Sequence, residues 1–129
     1  MGIPALNCRK LHSMPFKFEK LLIWQKAVDL SDLVNTLCKS FPKEELFILT
    51  SQIKRAADSV ALNIAEGSTG QTNPEFKRFL GYAIRSDIEV VSCIFLARRR
   101  GIIKQSDFEK IYNLCEEILF MGSSFRKKL

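Results

Sequence analysis

Apolar residues recur along this chain at alternating spacings of three and four, in four separate runs. That spacing marks one face of a helix, and the strict alternation of a half-buried strand is almost absent. The first run is Ile23, Ala27, Leu30, Val34, Leu37 and Phe41. The second is Leu46, Leu49, Ile53, Ala56, Val60 and Asn63. The third carries Phe76, Phe79, Leu80, Ala83, Ile84, Val90, Ile94 and Ala97, and the fourth Phe108, Ile111, Cys115, Ile118, Gly122 and Phe125.

The breaks between runs carry helix-end chemistry. Pro42 cannot continue the first helix but can open the next, where Glu44 and Glu45 suit the positive end of the helix dipole. Gly67 is placed as a C-terminal glycine ahead of the polar break "STGQT". In "NPEF", Asn73 can cap, Pro74 fits the first helical turn and Glu75 complements the dipole. Gly101 is the stop for the third helix. Ser106 and Glu109 have the spacing of a capping box at the start of the fourth. Four amphipathic helices with short connections predict an all-α fold, an up-down-up-down antiparallel four-helix bundle over residues 16–129.

One core does not absorb all the apolar surface. "VVSCIFLA" (90–97) is apolar nearly all round, and Trp24, Phe47, Tyr82 and Phe120 stand off the main stripes. Surplus apolar surface predicts a partner surface, and a homo-oligomer is the expectation.

Composition narrows the class. The chain has 129 residues, 47% hydrophobic and 26% charged, which fits one globular domain. No apolar run is long enough to span a bilayer, and the N-terminus has no signal-type apolar region, so a cytoplasmic protein with no membrane role is expected. The 4 cysteines are scattered and His12 is the single histidine, so neither a disulfide framework nor a metal site is expected. Residues 1–15 lack periodicity and read as a flexible arm or as a start-site extension, since Met14 precedes the first helix. The net charge of +6 is concentrated in residues 1–20 and in the third helical segment, residues 68–100. A basic excess suits an anionic partner or plain solubility.

The stretches "FEKLLIWQKAVDLSDLV", "FPKEELFILTSQIKRAADSVALNIAEGS" and "EFKRFLGYAIRSDIEV" resemble the 23S rRNA intervening-sequence proteins, a bacterial family also called four helix bundle protein. The most specific part is Gln52–Gly67 with its Asn-Ile-Ala-Glu-Gly ending. The resemblance implies a small helical bundle assembled as a homopentameric ring. Accessory proteins of diversity-generating retroelements are similar bundles that bind nucleic acid and a reverse transcriptase. One departure is Arg85, where the family often has glycine.

Two sets of residues are candidates for function. Gln52, Ser59, Asn63 and Glu66 recur at helical spacing on one side of the second helix, and Ser86 and Glu89 lie a turn apart on the third. With Gly67 they make up the family-like motif. They form either a structural polar network, with Glu66 near enough to pair with Arg78, or a small-ligand pocket near the Asn63–Glu66 turn. An asparagine on an apolar seam can fix register and partner number, which favours the network. The second set is basic: Lys54, Arg55, Lys77, Arg78, Arg85, Arg98, Arg99 and Arg100. Consecutive arginines point about 100° apart, so Arg98 to Arg100 do not share a face and suit the negative end of their helix. In a ring, each cation is repeated about the axis, and a modest patch becomes a dense positive surface for phosphate. The tail residues Arg126, Lys127 and Lys128 join that surface or stay solvated.

Enzyme chemistry finds little footing. Di-iron bundles need Glu-x-x-His pairs, there is no phosphate-binding glycine loop, and "EGSTG" lacks the strand and histidine of a nucleophile elbow. No catalytic residue and no cofactor is expected. The expectation is a non-enzymatic oligomer that binds structured RNA, or DNA, as an accessory or adaptor; the alternative is a protein–protein scaffold that recruits a reverse transcriptase or another protein.

Overall fold

A computed structural model describes residues 15–70 and 72–129. The expected arm, residues 1–15, lies outside them except for Pro15. Four long helices follow one another: α1 (Leu22–Cys38), α2 (Ser51–Ser68), α3 (Asn73–Arg99) and α4 (Gln105–Lys128). No strand occurs among the described residues. Each helix packs on the next, most extensively α2 on α3, and α1 meets α4 to close the four-helix bundle.

The core follows the apolar runs. Ile23, Ala27, Leu30, Val34, Leu37 and Phe41 are all buried, as are the expected inward positions of α4 from Phe108 to Gly122. In α3 the buried stripe holds Phe76, Leu80, Ala83, Val90, Ile94 and Ala97, and one residue no hydrophobic count would include, Asp87.

The approach to α2 differs from expectation. Pro42 ends the α1 connection and a 3-10 turn follows at Lys43–Glu45. Leu46–Thr50 then form one wide π-type turn that runs into α2. The wider turn shifts the phase of the stripe: Leu49 and Thr50 turn inward, while Leu46, Phe47 and Ile48 stay outside. Leu46, expected in the core, is therefore exposed, and Phe47 is 89% exposed. At the other end of the stripe the seam passes through Ile64, which is fully buried, and Asn63 sits beside it, half-buried.

Three helix ends depart from their predicted chemistry. Thr72, not Asn73, caps α3, its Oγ1 accepting from the Glu75 amide at 3.2 Å. Ser106 lies inside α4, whose cap position is Lys104, so no Ser106–Glu109 capping box forms. Gly67 does not end α2; it is buried within the helix, where a Cβ would stand 2.6 Å from Phe79 Cβ. Its role is close approach of α2 and α3 rather than a turn. Gly101 does terminate α3 as predicted. Its φ is +69°, its amide bonds to Arg98 O, and the Ile102 amide bonds to Ala97 O, the paired closure of a Schellman motif.

Candidate nucleic-acid interface

The polar motif occupies the α2–α3 seam. The Asn63 Nδ2 group donates to Ser59 O at 2.8 Å and to Ser59 Oγ at 2.9 Å. Ser86 Oγ on α3 donates to the same Ser59 hydroxyl at 3.0 Å. A turn further along, Gln52 Nε2 donates to the Glu89 carboxylate. Small serines face each other here, so the helices approach closely and their hydroxyls still find partners. The groove above them, about 410 Å³, is lined by Gln52, Arg55, Ala56, Ser59, Ser86 and Glu89. Glu66 stays exposed near the end of α2, and the expected pair with Arg78 does not form. Arg78 instead reaches Glu75 on its own helix, at 3.9 Å, a long and exposed contact.

The basic candidates divide into groups. Arg78 and Arg85 are two turns apart on α3 and line one groove of about 330 Å³ with Gly81, Tyr82, Ile84 and Arg126 of α4. Arg126 is fixed there: its Nε donates to Lys77 O at 2.9 Å, and its guanidinium passes over Gly81, where no side chain intervenes. A neighbouring groove of about 390 Å³ shares Arg126 and adds Lys77, Ser123 and Lys127. Five cations thus surround one α3–α4 surface, and no carboxylate lines either groove.

The other cations are engaged elsewhere or lie apart. At the far end of α3, Arg98 stacks over Phe108 at 4.0 Å and Phe95 at 5.0 Å. Arg100 makes a 2.8 Å ion pair with Glu45, which ties the α1–α2 connection to the end of α3. Arg99 is exposed. Arg55 faces the polar groove, and Lys54, exposed on α2, lies close enough to Cys38 to offset in part the burial that pushes that thiol up. Arg126 is the residue that sequence reasoning underrated. The sequence puts it in a tail that either joins the basic surface or stays solvated, yet α4 remains helical to Lys128.

Asp87 is the second such residue. It is 1% exposed, packed in the α3–α4 seam, and its Oδ1 has no hydrogen-bond partner among the described residues. Burial pushes its carboxyl up to about 7, and a hydrogen bond with the Cys115 thiol offsets part of that rise. The thiol is pushed well above its ordinary range, by burial first and by the facing carboxyl second. The signal for Asp87 is plain in retrospect: it falls on the Leu80, Ala83, Val90, Ile94 periodicity.

The arrangement can grip anions. Guanidinium groups offer paired donors to phosphate oxygens, and three of them converge on one groove. Among the described residues no cluster of histidine, cysteine or carboxylate side chains is placed to hold a metal ion, and no helix is long and apolar enough to cross a membrane.

Fold and surface together define a small helical-bundle protein with a basic face along one pair of helices. Residues 19–124 match the family model described as 23S rRNA-intervening sequence protein, and the chain belongs to that family. Among solved structures it is similar to a protein of unknown function from the S23 ribosomal protein family of Bacteroides thetaiotaomicron. The TM-score is 0.77 at 24% identity, over 82% of this chain and 99% of that one. No curated protein matches the chain.

Proposed function

We propose that this protein is a non-enzymatic nucleic-acid-binding accessory or adaptor, with structured RNA as its preferred ligand and DNA as a weaker one. The observation that carries the reading is the convergence of Arg78, Arg85 and Arg126 on one groove, with Lys77 and Lys127 beside it. Grooves lined by cations and free of carboxylates attract phosphate, and the exposed Tyr82 in the same groove offers a ring to an unpaired base. Recognition then rests on phosphate position and shape rather than on base edges. Membership of a family named for rRNA intervening sequences is consistent with an RNA ligand.

Assembly into a homo-oligomer, a pentameric ring by family resemblance, would repeat this groove about an axis and multiply its field. The exposed Leu46, Phe47 and Ile48 support such a contact, because an apolar knob of this size on a monomer is otherwise left in water. The same knob favours the second reading, a scaffold that recruits a protein such as a reverse transcriptase.

The test is a titration of the full chain with an RNA stem-loop at several salt concentrations. Tight binding with a steep salt slope is expected, and the slope counts the phosphates engaged. The double variant Arg78→Glu/Arg126→Glu should weaken binding by about tenfold or more and flatten the slope. An unchanged affinity in that variant overturns the groove assignment, and no binding at low salt overturns the nucleic-acid reading.

A further inference from the structure

Ahead of α1 the chain makes a 3-10 turn at Lys17–Lys20, which packs on α1 and α2. Hydrogen bonds pin this turn. The Phe16 amide donates to the Glu19 carboxylate at 3.2 Å, and the Glu19 amide donates back to Phe16 O at 3.1 Å. Gln25 Nε2 of α1 donates to Glu19 O at 3.0 Å. Three aromatic rings form a row along the turn. Phe18 meets Trp24 with centroids 4.8 Å apart, and Phe16 stacks on Phe18 at 5.9 Å with the two planes 29° apart. Phe16 closes the row and is 59% exposed. Phe18 covers at most one face of that ring, so the opposite face is left in water.

The row is continuous with the basic surface at the same end of the bundle. Lys17 and Lys20 stand exposed on the turn itself. Lys17 Nζ lies 5.4 Å from the centre of the Phe76 ring, and Phe76 meets Phe125 edge-on at 5.2 Å. The next residues along α3 and α4 are Lys77 and Arg126, which line the second basic groove. A lone exposed phenylalanine is ordinary on a protein surface. Phe16 differs because its backbone is fixed, one side of its ring is stacked and cations flank it. An open ring face beside cations is what an unpaired nucleotide uses: the base stacks while ammonium groups hold the neighbouring phosphates. A continuous A-form duplex keeps its bases stacked inside and has no such face to offer along its length. We propose that Phe16 is the platform for an unpaired base, adjoining a stem whose phosphates lie in the basic grooves. The inference rests on the nucleic-acid reading above and narrows its ligand to RNA with single-stranded nucleotides beside a stem.

The experiment titrates the full chain with an RNA duplex in which one strand runs past both ends in a few adenosines. The control carries the same extensions as abasic nucleotides, so the phosphates are equal in number and only the bases differ. Affinity is measured at several salt concentrations. NMR follows the phenylalanine ring protons, with the Phe16 signals identified by their loss in Phe16→Leu. The adenosine form is expected to bind about tenfold tighter, and the Phe16 protons to move upfield as a base covers the ring. Phe16→Leu keeps an apolar side chain and should remove the preference with the salt slope unchanged, because no phosphate contact is lost. Phe16→Trp should retain it. Equal affinities for the two RNAs in the wild-type chain overturn the platform and leave the basic-groove reading standing. A preference that survives Phe16→Leu also overturns it and moves the stacking to another ring, such as Tyr82. Failure of both RNAs to bind at low salt overturns this inference together with the nucleic-acid reading.

Discussion

The α2–α3 seam and the α3–α4 seam both place polar side chains where a bundle expects apolar ones, and they treat them in opposite ways. In the first seam, Ser59, Asn63 and Ser86 are half-buried, and each finds a partner within about hydrogen-bonding distance. In the second, Asp87 is deeper and charged in its ordinary state, and it keeps one oxygen unpaired beside a cavity. The first arrangement specifies how two helices dock. The second stores an unfavourable free energy that an apolar residue in its place would release.

The largest effect expected from this contrast is at Asp87. Its pKa rises from an ordinary 3.8 to about 7 on folding, because burial disfavours the carboxylate. For a raised acid the stability contribution is complete below pH 3.8 and is lost as pH rises through about 7. The full loss corresponds to up to about 4 kcal/mol. Asp87→Leu should therefore stabilise the chain most at pH 8, by roughly 2–4 kcal/mol, and little at pH 4. The adjoining cavity has room for the added volume. Chemical denaturation of both chains across pH 4 to 8 measures the difference. Parallel pH profiles for the two would remove Asp87 as the source.

Next in size is Gly67→Ala in the well-satisfied seam. A Cβ there meets Phe79 Cβ at 2.6 Å and Phe76 Cδ1 at 3.0 Å, so α2 and α3 must separate. The expected cost is about 1–3 kcal/mol, against the gain of a few tenths to about 1 that alanine brings to an unconstrained helix interior. A rise in thermal midpoint would show that the two helices have slack at this point.

Ser59→Ala should cost less, about 1 kcal/mol, because it removes one hydroxyl that accepts from both Asn63 and Ser86. Asn63 keeps its bond to the Ser59 carbonyl, which limits the loss. A double-mutant cycle with Ser86→Ala isolates the interhelical part, and a coupling energy indistinguishable from zero would show that the serines matter only for their size.

How much of this was legible in the sequence depends on what kind of physics placed each residue. The four stripes followed from periodicity, and the Gly101 stop from a glycine that closes the third run and adopts a left-handed conformation. The family-like motif was found as a stripe, and its hydrogen bonds are local or between adjacent helices. The phase shift at Leu46–Thr50 was not legible, because a π-type turn adds a fraction of a residue that an apolar count does not register. Gly67 misled for a related reason. A glycine before a polar break suits a helix end, and only the packed position of Phe79 reveals the close approach. Arg78 joined Arg126 rather than Glu66 because that grouping depends on where α4 ends in space. Asp87 was legible but overlooked, since a carboxylate beside Glu89 reads as part of a solvated face.

The smallest expected effect separates the two ends of α3. Arg98 and Arg100 are held by Phe108 and Glu45, whereas Arg85 faces an open groove. An arginine already stacked or paired must give up that contact before it can hold a phosphate. Arg100→Ala should therefore cost under about 1 kcal/mol of stability, as an ion pair near the surface does, and leave RNA affinity within about twofold of wild type. Arg85→Ala should do the reverse, leaving stability within about 0.5 kcal/mol and lowering affinity with a salt slope shallower by about one unit. Denaturation midpoints and salt-dependent titrations on the same two preparations decide it. If Arg100→Ala flattens the slope as much as Arg85→Ala does, the nucleic acid runs the length of α3, and the ion pair with Glu45 opens when it binds.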